Sequence, residues 1–172
     1  MKEINQTHPK STSAYIHIPF CEHICYYCDF NKVFLEGQPV DEYIQSLLTE
    51  IRLTLEKHPT KVSETIYIGG GTPTSLTAKQ LDVLLTGIHR YLPTHTTKEF
   101  TVEANPGDLT AEKLDVFKAH GVNRLSMGVQ TFDDRLLKKI GRKHSVQDVY
   151  DTTDLLEKQH SDPVTLDQPH TL

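Results

Sequence analysis

The sequence predicts an α/β fold built on a parallel sheet, and three observations predict it. Short β-rich runs alternate with amphipathic helical stretches along most of the 172 residues. Glycine, proline and capping signals punctuate nearly every change of element. Residues with chemical character stand just after the strands, where open parallel sheets and barrels gather their chemistry.

The elements follow in order. Residues 15–18 form a first strand, stopped by Pro19. A loop carrying every cysteine leads to a helix over 41–57, in which Tyr43, Ile44, Leu47, Leu48 and Ile51 repeat on one face. A second strand at 65–68 runs into Gly69-Gly70-Gly71. The next helix opens with a capping box, Thr77 with Gln80, and turns Leu81, Leu84, Leu85 and Ile88 inward. A third strand at 99–102 meets Glu103-Ala104-Asn105-Pro106-Gly107, and its helix starts near Thr110, buries Leu114 and Phe117 and stops at Gly121. The fourth strand, 124–129, is followed by a short helix ending at Gly141 and a last one from Ser145 to about Lys158. Right-handed crossovers between such units give one parallel sheet. The expected division is a disordered 1–13, a core over 14–158 and an irregular tail over 159–172.

Composition narrows the classes. Hydrophobic and charged fractions of 37% and 24% are those of an ordinary globule with one core. A formal charge of −5 argues against nucleic acid and against anionic membranes, while leaving other membrane contact open. No apolar run approaches the ~18 residues of a membrane span, and 1–13 is too polar for a secretory signal, so a cytoplasmic location is expected. The three cysteines all lie within eight positions. An odd, tight set reads as metal ligation in a reducing compartment rather than as disulfides.

Cys21, Cys25 and Cys28 are spaced C-x3-C-x2-C. Thiolates hold iron–sulfur clusters, and a cube with three protein thiolates keeps one iron open to another ligand. Tyr26, Tyr27 and Phe30 promise an apolar wall around it. The alternatives are a buried cysteine stripe or a zinc site with His23 as fourth ligand. Gly69-Gly70-Gly71-Thr72-Pro73 lets backbone approach a ligand, or serves as a plain turn; it has neither the Gly-Lys-Ser/Thr of a Walker loop nor a glycine at 74 for a dinucleotide fingerprint. Glu103 suits a ribose diol or an ammonium group, Gln130 offers a donor and an acceptor one strand later, and Arg142 suits a bidentate carboxylate. His17 alternates with Ile16 and Ile18; it either faces the barrel interior or, the preferred reading, is a satisfied core histidine.

Five segments carry a resemblance: Tyr15-Ile-His-Ile-Pro-Phe-Cys21, Cys25-Tyr-Tyr-Cys28-Asp-Phe30, Gly69-Gly-Gly-Thr-Pro-Thr74, Val102-Glu-Ala-Asn-Pro-Gly107 and Ser126-Met-Gly-Val-Gln130. Over roughly 14–158 the chain resembles the oxygen-independent coproporphyrinogen oxidase family of radical S-adenosylmethionine (SAM) proteins. The resemblance implies an incomplete (β/α) partial barrel of the TIM type, a [4Fe–4S] cluster on Cys21, Cys25 and Cys28, and SAM held by Tyr15, Tyr27, Gly71, Thr72, Glu103, Gln130 and Arg142. It also implies an electron donor of flavodoxin or ferredoxin type, and SAM cleavage to a radical that abstracts hydrogen.

Two departures choose a branch. The oxidases resemble C-x3-C-x2-C-x-C, with a fourth cysteine where Phe30 stands, and carry a long N-terminal extension. Both differences point to the heme chaperone branch, which binds cluster, SAM and heme and hands heme to acceptor proteins; oxidation of a porphyrinogen is the alternative. A third departure concerns length. The family barrel has about six units and a C-terminal domain, whereas four strand–helix units are legible here. Where the family places an apolar strand with a SAM-contacting aspartate, 159–172 is polar with two prolines, as a truncation, internal deletion or shifted frame would leave. The expectation is a fourth strand without its outer neighbour and hence a poorly stable chain.

Overall fold

The computed structural model describes residues 12–159 and 164–167. Its main sheet is all parallel, in the order β1 (Ser13–Ile18), β4 (Thr65–Gly70), β5 (Glu99–Ala104), β6 (Arg124–Gly128) and β7 (Val164–Asp167). The strands join in chain order, so every right-handed crossover lays its helix on the same face, as in a (β/α) barrel. Those helices are α1 (Val40–Lys57), α2 (Ala78–Tyr91), α3 (Ala111–Ala119), α4 (Asp134–Lys139) and α5 (Val146–Gln159). The remaining strands, β2 (Phe20–Cys21) and β3 (Val33–Phe34), pair in parallel and close the cysteine loop at its base.

Local signals explain the helix ends. The capping box at α2 is complete, with Thr77 accepting from the Gln80 N–H and Gln80 reaching back to the Thr77 N–H. Thr110 caps α3 and Asp133 caps α4 through their side chains. Between them the period-2 strands split the chain's character cleanly. Ile16, Ile18, Ile66, Ile68, Phe100, Val102 and Leu125 face the helices and pack with Ile44, Leu81, Leu84, Leu85, Leu114 and Phe117, all buried. A smaller cluster, Met127, Val129 and Val149, continues this core under α5.

The tail departs from expectation. Residues 164–167 form a fifth strand in register with β6, from Leu125↔Val164 to Gly128↔Asp167. β6 is therefore paired on both sides, and the edge of the sheet moves out to β7. The prolines at 163 and 169 flank the run rather than interrupt it, and a strand tolerates proline at its margins. Residues 160–163 and 168–172 of the tail, and the N-terminal 1–11, lie outside the described residues. Among the described residues no helix is long and apolar enough to cross a membrane.

Candidate SAM and cluster site

At the carboxyl ends of the strands lies a cleft of about 500 Å3 lined by Tyr27, Cys28, Gly71, Thr72, Glu103, Gln130 and Arg142, together with Phe30, Gly70, Asn105 and Ser126. Seven of the ten residues singled out from the sequence thus share one wall. Cys21 is buried behind it and Cys25 faces a neighbouring cavity of about 380 Å3 across Arg142. Tyr15 does not line the cleft; it is 61% exposed and stacks on Tyr67, ring centroids 6.1 Å apart.

The cysteine loop is tied down at two places. β2 and β3 hold its stem, with the Val33 N–H on the Pro19 carbonyl and the Leu35 N–H on that of Cys21. At its tip the Tyr26 N–H donates to the Ile140 carbonyl, and Gly141 lies under the Tyr26 ring, where a Cβ would sit 3.0 Å from Cδ2. Burial pushes the Cys21 thiol up, and its contact with Thr72 partly offsets this. The expected apolar wall is open: Tyr26 is 79% and Phe30 68% exposed. Apolar character predicts burial only where something stands opposite to cover it.

Each glycine of the triplet has its own reason, and none is simple clearance for a ligand. A Cβ on Gly69 would meet the Tyr67 ring at 2.7 Å and the Glu103 carboxylate at 2.8 Å. Gly70 adopts φ +121° with the His17 ring 2.5 Å from where a Cβ would be. Gly71 abuts the Pro19–Phe20 backbone at 2.7 Å. The triplet lets three neighbouring pieces of the chain close over a strand end.

Glu103 is held by donors on both oxygens: the Tyr67 hydroxyl on Oε1 at 2.7 Å and the Gly70 N–H on Oε2 at 2.9 Å. Each oxygen keeps a lone pair for an incoming group. His17 is half-buried on the concave face, the barrel-interior alternative rather than a core position, and both ring nitrogens have partners. Its Nε2 donates to the Asn31 carbonyl, so in the neutral ring Nδ1 accepts from the Tyr15 hydroxyl. Gln130 sits in the left-handed region at φ 68°, rare for a residue with a Cβ, and its amide passes close to Gly128.

Arg142 differs from its expected role. Nη2 donates to Asn105 Oδ1 and the Gly128 carbonyl, both at 2.7 Å; Nη1 lies 3.6 Å from Cys25 Sγ; Nε faces His144 Nδ1 at 3.3 Å. With these partners in place the fork has no free pair of donors for a bidentate carboxylate. Burial pushes the Tyr27 hydroxyl up, and the neighbouring Arg142 offsets part of that.

Sequence reasoning assigned no role to Asn105 or Lys113. Lys113 Nζ donates to the Thr74 and Asp108 carbonyls and so pins the loop after β4 to the loop after β5. Burial lowers the Lys113 ammonium and raises the Asp108 carboxyl. Asn105 joins Thr72 to Arg142. The only signal for it was its place in the motif after the third strand.

A family model described as the radical SAM superfamily matches residues 15–168. This chain belongs to the radical SAM superfamily. It is 52% identical over 164 residues to the heme chaperone HemW of Lactococcus lactis subsp. lactis, covering 95% of this chain and 42% of that protein. With the heme chaperone HemW of Bacillus subtilis it shares 54% identity over 156 residues, 90% of this chain and 41% of the relative. Among solved structures, coproporphyrinogen III oxidase (HemN) of Escherichia coli superposes with a TM-score of 0.77 at 26% identity, over 91% of this chain and 36% of that one. The chain thus spans about two fifths of the length of the curated relatives.

Membership implies a [4Fe–4S] cluster and SAM, and the donor set fits a cluster. Three thiols come from one loop, and two protein donors face two of their sulfurs. Among the described residues no three His, Cys, Asp or Glu side chains, the cysteines included, gather tightly around one point, so it is the donor chemistry and the family rather than geometry that favours a cluster over zinc; His23, the fourth ligand of the zinc alternative, is exposed.

Proposed function

We propose that this chain is the cluster- and SAM-binding part of a heme chaperone, a protein that takes up heme and passes it to acceptor proteins. One observation carries the choice over porphyrinogen oxidation: residue 30, where the resemblance places a further cysteine in the oxidases, is an exposed phenylalanine beside the cleft. The identity of 52–54% to two heme chaperones supports the same choice.

In this proposal Cys21, Cys25 and Cys28 hold the cluster, which supplies an electron to SAM when reduced by a flavodoxin- or ferredoxin-type donor. Glu103, oriented by Tyr67 and the Gly70 N–H, receives an ammonium or ribose diol of SAM. Gln130 and the Gly71–Thr72 backbone flank it, and Tyr27 covers the cluster side. Tyr15 acts through its stack on Tyr67, and Arg142 through the groups it holds in place. β7 ends in register with Gly128, the strand end where the resemblance places a SAM-contacting aspartate. The proposed setting is the cytoplasm.

The test uses the chain after anaerobic cluster reconstitution. Hemin addition is expected to give a Soret band that moves to an apo-hemoprotein acceptor. With coproporphyrinogen, SAM and reductant, no protoporphyrinogen is expected above a Cys25→Ala control. Product above that control would establish the oxidase instead, and an unchanged hemin spectrum would overturn heme binding by this chain.

A further inference from the structure

We infer that Asn105 is a positioning residue for the cluster, setting the hydrogen bonds that two of its three cysteine sulfurs receive. The argument rests on the cluster being held by Cys21, Cys25 and Cys28. It begins with the orientation of one amide. A guanidinium only donates, so the Asn105 atom 2.7 Å from Arg142 Nη2 is the amide oxygen. The amide NH2 therefore faces Thr72, whose Oγ1 accepts at 3.1 Å. That hydroxyl keeps its own proton, and Cys21 Sγ lies 3.6 Å away. A cluster-bound thiolate accepts only, so the Thr72 O–H donates to it. On the other side the Arg142 whose Nη2 is fixed by Asn105 presents Nη1 to Cys25 Sγ at 3.6 Å.

One side chain thus directs two donors, one neutral and one charged, at different corners of the cluster. Its own seat is firm: its backbone N–H meets Thr74 Oγ1, and it follows β5 directly. Thr72 is buried, so no water competes for its proton. Hydrogen bonds to the sulfurs of an iron–sulfur centre stabilise the more negative, reduced state and raise its potential.

An isosteric exchange isolates the effect. In Asn105→Asp both side-chain oxygens accept. Arg142 keeps its partner, but the Thr72 proton turns to the carboxylate and Cys21 loses its donor. The midpoint potential of the reconstituted cluster, read by redox titration with electron paramagnetic resonance, is expected to fall. The added charge lowers it too, so the exchange is repeated in a Thr72→Val background, where only the charge term remains. The expected result is a larger fall in the wild-type background than in Thr72→Val, with Thr72→Ser close to wild type and iron content unchanged. Equal falls in both backgrounds, or Thr72→Val at the wild-type potential, would overturn the role of Asn105. A wild-type chain that takes up no iron would instead overturn the cluster assignment on which the inference stands.

Discussion

The two faces of the sheet are made from the same strands and obey different rules. On the helix side, Ile66, Ile68, Phe100 and Val102 alternate into a closed apolar core. On the concave side, the residues between them are Tyr67, Gly69, Thr101 and Glu103, polar or small, with Tyr67 bonded to Glu103 and Thr101 to Glu99. Burial there depends on named hydrogen bonds rather than on area. The first face sets whether the chain folds; the second sets what it binds.

A deletion in the core gives the largest effect. Phe117→Ala is expected to lower the unfolding free energy by about 3–5 kcal/mol in urea melts. Glu103→Gln should change it by less than about 1 kcal/mol while weakening SAM binding. Similar losses in the two variants would erase the distinction between the faces.

The glycines after β4 test where the two rules meet. Gly71→Ala drives a Cβ against the Pro19–Phe20 backbone, which cannot swing away, so a loss of about 1–3 kcal/mol is expected. Gly69→Ala first meets the Tyr67 ring edge and the Glu103 carboxylate, both side-chain atoms. It should cost less stability and more SAM affinity, measured by calorimetry on the reconstituted chain. The reverse ranking would show that the triplet serves the fold and the site in the opposite order.

A finer probe removes one hydroxyl. Tyr67→Phe keeps the stack on Tyr15 and deletes the donor to Glu103, for an expected loss of about 0.5–1.5 kcal/mol in SAM binding at unchanged stability. Unaltered affinity would mean that the Gly70 N–H alone orients the carboxylate.

Much of this was legible in the sequence because period and punctuation are local. Four strands, five helices, the capping box at Thr77 and the helix start near Thr110 were readable from neighbours in the chain. The β2–β3 pair was not, since two-residue strands have no period. β7 was missed because its flanking prolines were counted against it and its last residue is charged. The partners of Asn105 are 33 and 37 residues away, so its role depended on the fold. The cysteine spacing carried the expectation of metal ligation, but the positive φ of Gln130 left no trace in composition.

The smallest expected effect is one of pH. Burial, with Arg142 alongside, lowers the His144 pKa, and its Nδ1 accepts from Arg142 Nε. The unfolded chain takes up this proton near pH 6.5; the folded chain resists it until lower pH. Stability that is complete above about pH 6.5 should therefore decline as the pH falls toward the folded value. His144→Asn is expected to flatten part of that slope between pH 7 and 5 in urea melts, and an unchanged slope would assign it to other groups.

The contact between Arg142 and Cys25 spans 117 residues of chain. A ribosome adding about 5–20 residues per second needs roughly 6–23 seconds to cover that distance. For that interval a nascent chain displays its cysteines without the Ile140 anchor or the guanidinium beside them, and for the first part of it without Thr72's hydroxyl as well. Iron loaded so early would sit in a loop with no stem neighbours after β4 and no clamp from α4. Only a chain whose residue 142 has left the exit tunnel offers the cysteines every contact seen in the folded structure.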